Sequence, residues 1–117
     1  MVLSKNDIET NDHQKIRSTI SKAIKEVTGK GPVDTKVTLM DEVILARLFG
    51  CLPTADIKMA ENLGDFVEVK HYHNKRFHAI KDNLTETIEK VINRSVKDFF
   101  FDINPAQNEG IMVFLLE

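Results

Sequence analysis

Val33-Asp34-Thr35-Lys36-Val37-Thr38-Leu39-Met40-Asp41-Glu42-Val43-Ile44-Leu45-Ala46-Arg47-Leu48-Phe49 is the stretch whose reading decides the fold. Val33 to Met40 and Val43 to Phe49 are strand-length runs rich in Val, Leu, Thr and Ile, joined by Asp41-Glu42. A two-residue connection makes them a hairpin in which Leu39 pairs with Ile44, Val37 with Ala46 and Thr35 with Leu48. Side chains alternate along a strand, so Val37, Leu39, Ile44, Ala46 and Leu48 share one face, apolar enough to be core. The other face carries Lys36, Thr38, Met40, Val43, Leu45 and Arg47, more apolar than free exposure favours.

Upstream, Ile16, Ile20, Ala23, Ile24 and Val27 recur at the spacing of one helix face, which predicts a helix from about Asp12 to Thr28. Thr10, Asn11 and Asp12 each offer a side chain to cap its start, and Gly29 can end it in a left-handed conformation. Lys22, Lys25 and Lys30 suit the negative pole of its dipole. Gly29-Lys30-Gly31-Pro32 is a turn cluster. It lacks the GxxxxGK[ST] spacing of a phosphate loop and follows a helix rather than opening one.

Downstream, Gly50-Cys51-Leu52-Pro53-Thr54 breaks the strand, and Thr54 is placed to cap a short helix, Ala55 to Asn62. Gly64 marks a bend. A long helix is predicted from about Asp65 to Arg94 on the stripe Phe66, Val69, His73, Phe77, Ile80, Leu84, Ile88 and Val91. At ~1.5 Å per residue it would be about 45 Å long, so it must either break or project beyond a globule of this size. Val96 to Ile103 and Ile111 to Leu116 read as the last strands, with a loop from Asn104 to Gly110. The predicted class is α+β: a two-layer helix-on-sheet domain in the order α-β-β-α-α-β-β with a four-stranded, mainly antiparallel sheet. Residues 1–10 are expected to be a flexible N-terminus and 11–117 a single domain.

Phe99-Phe100-Phe101 and Ile111 to Leu116 are apolar on both faces, the pattern of strands covered on both sides. The helices can cover only one. An uncovered apolar face argues for a homodimer or another protein partner, with Met40, Val43, Leu45 and Phe100 as the expected interface residues.

The chain has 117 residues, enough for one domain and one core. Sixteen basic and 18 acidic side chains leave a net charge of −2, so no global field favours nucleic acid. Cys51 is the single cysteine, which excludes an intrachain disulfide and fits a reducing compartment. No apolar h-region follows Met1-Val2-Leu3-Ser4-Lys5-Asn6-Asp7, so no signal peptide is expected, and no apolar run approaches a membrane span. The expected location is the cytoplasm.

Candidate chemistry is sparse. His71, His73 and His78 lie close together on the long helix, but His71 and His73 point about 160° apart, and His73 and His78 about 140°. One metal ion wants ligands at i,i+3 or i,i+4, so no metal site is expected. His73 instead falls in the apolar stripe as a hydrogen-bonded core-edge histidine. Cys51 has no base near it in sequence, and a small buried residue is the better reading. Asp98 and Asp102 share a strand face, as an acid–base pair would, or as charges that guard a sheet edge. Lys70, Lys75, Arg76 and Lys81 alternate with Tyr72 and Phe77. Glu68, Asp82, Glu86 and Glu89 on the same helix make that a solvated charged face. No catalytic residues and no cofactor are assigned.

A helix ending in Gly29-Lys30-Gly31-Pro32 is followed by the hairpin, then Leu52-Pro53-Thr54-Ala55-Asp56, a long basic-to-acidic helix, Phe101-Asp102, and a terminal Val113-Phe114-Leu115-Leu116-Glu117. This succession resembles the MpsC-like family, a small bacterial domain of formerly unknown function, over roughly residues 12–117. Gly29, Gly31, Pro32, Leu52, Thr54, Asp102 and Phe114 carry the match, while the Leu-Pro-Thr-Ala-Asp-Ile motif departs from the family pattern by an inserted proline. The resemblance implies a component or accessory of a sodium-translocating, membrane-potential-generating system, with no catalytic residue to carry over.

Two functions from different classes follow. One is a non-enzymatic cytoplasmic accessory or regulatory protein that works by protein–protein interaction, as a homodimer with a membrane-protein partner, peripheral to the inner face of the membrane. The alternative is a small-ligand or anion-binding module at the Gly29–Pro32 turn and the Cys51–Asp56 segment, with Gly31, Pro32, Thr54 and Asp102 as its residues.

Overall fold

The computed structural model describes residues 10–117. The expectation of a flexible N-terminus over residues 1–10 concerns residues outside that range except for Thr10, which is helical. The elements are α1 (Thr10–Thr28), β1 (Asp34–Met40), β2 (Val43–Phe49), α2 (Thr54–Leu63), α3 (Phe66–Ile92), β3 (Val96–Asn104) and β4 (Glu109–Leu116). The α+β class and the order α-β-β-α-α-β-β are as read from the sequence. The sheet is wholly antiparallel, in the order β1-β2-β4-β3.

The hairpin register matches the sequence pattern, with Leu39 opposite Ile44, Val37 opposite Ala46 and Thr35 opposite Leu48. The turn is a surprise in kind. Among the described non-glycine residues only Asn93 and Asn108 have positive φ, so Asp41-Glu42 is not a primed turn. Unprimed two-residue turns splay their strands, and here other elements hold the turn. The Leu116 N–H donates to the Glu42 carbonyl at 2.8 Å, and the Arg94 guanidinium donates to the Asp41 carbonyl at 3.0 Å.

The helices pack on one face of the sheet. Ile16, Ile20 and Ile24 of α1 are fully buried with Ile44, Ala46, Leu48, Met112 and Phe114 beneath them. On α3 the buried stripe is Val69, His73, Phe77, Leu84, Ile88 and Ile92. It ends on Ile92 rather than on Val91, which is only half-buried. Phe77 stacks on Phe101 at 4.1 Å between ring centroids and reaches Phe99 at 6.0 Å, seating α3 under β3.

Gly29 (φ 80) closes α1 through its N–H to the Lys25 carbonyl at 2.8 Å. At α2 the start differs from the expectation. Pro53 is the cap residue, Thr54 is already helical, and no side chain caps the helix. Proline's fixed φ suits the entry into a helix, so Thr54 is freed from capping. Gly64 (φ 68) separates α2 from α3. With that one break, α3 runs unbroken for 27 residues, about 40 Å. The molecule is accordingly elongated, 53 × 22 × 19 Å. The predicted last loop is shorter than expected, because Asn104 and Glu109 already pair across the sheet. The remaining turn is tied by Asn104, whose carbonyl accepts from Gln107 and whose side chain accepts from Ala106.

Candidate functional site

The second face of the sheet has nothing packed on it among the described residues. Its cross-strand rows follow from the register. Met40–Val43–Leu115–Asp98 lies nearest the hairpin turn, then Thr38–Leu45–Val113–Phe100. Lys36–Arg47–Ile111–Asp102 comes next, and Asp34–Phe49–Glu109–Asn104 closes the far end. Phe100 is 53% exposed, Met40 45% and Ile111 41%, while Val43, Leu45, Val113 and Leu115 are half-buried only by one another. Apolar side chains form the middle of the face. Lys36 and Arg47 stand toward β1, with Asp34 at the far end of that strand, and carboxylates stand on the other side, Asp98 and Asp102 along β3 and Glu109 on β4.

Both edges of the sheet are blunted. Along β1 the N–H and C=O groups of Thr35, Val37 and Leu39 point away from β2, because Met40 and Val43 flank a two-residue turn as a bonded pair. His13 of α1 donates Nε2–H to the Val37 carbonyl on that free edge at 3.0 Å. On β3 the free-edge N–H groups of Phe99 and Ile103 donate to the carboxylates of their own predecessors, Asp98 at 2.8 Å and Asp102 at 2.9 Å. A bulge between Val96 and Asp98 further distorts that edge. Capped, charged and bulged edges resist strand addition. The face, not the edge, is what the sheet presents to a partner.

A groove of about 460 Å³ opens where the bare face meets the N-terminal end of α3. Its apolar lining comes from Phe66, Val67, Pro105 and Ile111, and its charges from Arg47, Lys70, Asp102 and Glu109. Each cation already has a carboxylate: Arg47 with Glu109 and Lys70 with Asp102, both at 3.3 Å. The groove is thus charge-balanced, with apolar walls. Desolvation opposes the charge on Asp102, but the Ile103 N–H, the Asn74 amide and the Lys70 ammonium together outweigh it and hold its carboxyl below the usual carboxylate range.

The residues proposed for a ligand site fall into two places. Asp102 lines the groove, whereas Gly31, Pro32 and Thr54 do not. The Gly29–Pro32 turn lies against the segment after β2, where Lys30 Nζ donates to the Gly50 carbonyl at 2.6 Å. Asn108 joins that segment to the β3–β4 turn, accepting from Gly50 N–H through its carbonyl and from Leu52 N–H through its side chain. Thr54 is exposed, while Gly31 and Pro32 are half-buried. Sequence spacing held no signal for the parts of the groove that α3 supplies, since Lys70 and Asp102 meet only through the tertiary fold.

The family model that matches the chain is described as "Na+-translocating membrane potential-generating system (MpsC)", and it matches residues 9–117. The chain belongs to the MpsC family. A relative from Bacillus subtilis (strain 168), uncharacterized protein YbcI, is 28% identical over 105 residues, covering 86% of this chain and 85% of its own. No solved structure matches. No helix of the described residues is long and apolar enough to cross a membrane.

Three of the segments that carry the MpsC resemblance, Gly29–Pro32, Leu52–Asp56 and Phe101-Asp102, gather at the end of the sheet around Cys51, whereas Val113–Glu117 lies at the other end, beside the hairpin turn. A Cβ on Gly110 would lie 3.4 Å from the Asp102 carbonyl and 3.5 Å from Cys51 Sγ, so the three are in close contact. Burial pushes the Cys51 thiol up to about 11, which leaves it protonated and unreactive at neutral pH. Among the described residues no group of three His, Cys, Asp or Glu side chains could hold a metal ion. His71 and His78 are exposed and His73 is buried. His73 donates Nε2–H to Asp56 at 2.6 Å and ties α2 to α3.

Proposed function

We propose that this MpsC-family chain is a non-enzymatic accessory or regulatory protein that acts by protein–protein contact at a sodium-translocating membrane assembly. It would work in the cytoplasm against the inner face of the membrane, and as a homodimer. The observation that carries the reading is the bare sheet face. Its centre is apolar around Leu45 and Val113 while both edges of the same sheet are capped. Contiguous exposed apolar surface of this kind marks an interaction site. The family description supplies the sodium-translocating context. The buried, protonated Cys51 and the structural use of Asp98 and Asp102 as edge caps support a role without chemistry of its own.

The test is genetic and biophysical together. Cells lacking the chain are scored for sodium-dependent membrane potential, then complemented with the wild type or with Leu45→Glu. The wild type is expected to restore the potential, and a folded Leu45→Glu protein to fail. Unchanged potential in cells lacking the chain, or full complementation by the variant, would overturn the reading.

A further inference from the structure

We infer that the bare sheet face takes a second copy of this chain about a two-fold axis parallel to the strands, pairing Lys36 of each copy with the partner subunit's Asp102. This deepens the interaction reading above by naming the occupant of the face and its register.

The argument is one of symmetry and charge. A two-fold axis lying between the packed faces and along the strands, midway between β2 and β4, keeps each cross-strand row at its own height and exchanges left for right. β1 of one copy then lies over β3 of the other, and β2 over β4. In the central row Leu45 meets the partner subunit's Val113 and Thr38 meets the partner subunit's Phe100. In the next row Lys36 meets the partner subunit's Asp102. Packed sheets stand about 10 Å apart, a gap that an extended lysine and an aspartate bridge together. When the face meets itself, Lys36 and the partner subunit's Asp102 thus form two symmetry-related pairs of opposite charge.

An axis across the strands gives a different result. It stacks rows of opposite height, laying Leu45 on the partner subunit's Arg47 and Phe100 on the partner subunit's Asp102. That brings no cation of one copy onto a carboxylate of the other. The lengthwise axis also sets Arg47 over the partner subunit's Ile111 and Met40 over the partner subunit's Asp98, but of the two axes it is the one that joins a cation to a carboxylate across the faces, and Arg47 keeps its own Glu109.

Size is consistent with a dimer of modest strength. Four strands and four rows give a face of about 19 by 24 Å, or ~450 Å² before side-chain relief is counted, against ~800 Å² per partner in a standard interface. Arg47, Ile111 and Asp102 belong to both the face and the groove. The β1 strand of the second copy would thus roof each groove with Lys36.

The test uses the full chain in two isotopic forms, mixed and treated with a zero-length carbodiimide cross-linker, alongside light scattering over a concentration series. A mixed-isotope Lys36–Asp102 cross-link is expected. The Lys70–Asp102 link within one copy serves as the internal standard, since that pair is 3.3 Å apart. Lys36→Glu should weaken self-association about tenfold, the size of effect expected for one opposed charge at an interface rim. Leu45→Glu should abolish it, with an unchanged circular dichroism spectrum. A monomer at about 100 μM, or a dimer whose mixed-isotope links all lie off this face, would overturn the inference. A dimer in this register whose loss leaves sodium-driven potential intact would overturn the proposed function and leave the dimer standing. A monomer whose Leu45→Glu variant still fails to complement would do the reverse.

Discussion

The two faces of the sheet are built from alternate residues of the same four strands, yet their fates differ. On the covered face Ile44, Ala46, Leu48, Met112 and Phe114 are fully buried. On the bare face their immediate neighbours Leu45, Val113 and Leu115 are only half-buried, and Phe100 and Ile111 are exposed. Hydrophobicity along β2 and β4 is nearly continuous, so composition does not distinguish the faces. Supply of helices does. α1 and α3 suffice for one side, and the residual apolar surface becomes a property available to a partner rather than to the fold.

The contrast is most directly broken at its two centres. Phe114→Ala should cost about 3–5 kcal/mol of stability in urea unfolding, as expected for an aromatic deleted from a packed core. Leu45→Ala, one face over, should cost about 1 kcal/mol or less in the monomer. A similar loss at both positions would mean that the bare face is covered in the isolated chain.

Gly50→Ala probes the end of the sheet where the two faces join. Gly50 has φ 63, and a Cβ there would stand 2.6 Å from Val33 Cγ2. A loss of about 2 kcal/mol is expected from left-handed strain alone, with more if Val33 cannot move. His13→Ala should cost about 1 kcal/mol by leaving the Val37 carbonyl on an uncapped edge. It should also raise the tendency to aggregate, measured by light scattering over time.

The smallest effect is electrostatic. Asp102 should titrate below an aspartate of the unfolded chain by NMR, and Lys70→Met should move it up. A depressed carboxyl contributes stability above its unfolded pKa and loses that contribution as pH falls through the folded value. The pair is half-exposed, so the contribution to overall stability is slight. A carboxyl unmoved by the Lys70 change would remove the ammonium from the account of the groove.

Much of the fold was legible because periodicity records it. The 3.6-residue stripe from Ile16 to Val27 and the two-residue alternation on either side of Asp41-Glu42 are direct imprints of burial. The hairpin register was legible although its turn chemistry is unfavourable, since core alternation overrode turn preference. The excess apolar surface on β3 and β4 was also legible, as a count of faces against helices. What spacing could not show were contacts made across the fold. The grip of Arg94 on the turn, the His13 edge cap and the Lys70–Asp102 pair join residues far apart in sequence, and nothing local encodes them. The Val96–Asp98 bulge was hidden for the opposite reason, as one extra residue inside an apparently regular strand.

The long helix has a mechanical consequence. From Phe66 to Ile92 it contains no glycine or proline. Its C-terminal part is anchored against α1 and the sheet, and its N-terminal end carries α2, fastened by the His73–Asp56 bond. Its N-terminal half is also seated on β3, through the Phe77–Phe101 stack and the Lys70–Asp102 pair, and a beam without a soft point transmits load along its length. A force applied near exposed Leu63 or Val67 is therefore carried along the helix, past its seat on β3, to the end beside the hairpin turn that Arg94 holds. Gly64 sits at the joint near the tip, but the His73–Asp56 bond and buried Ala60 and Val69 lock the short helix to the beam, so the two move together.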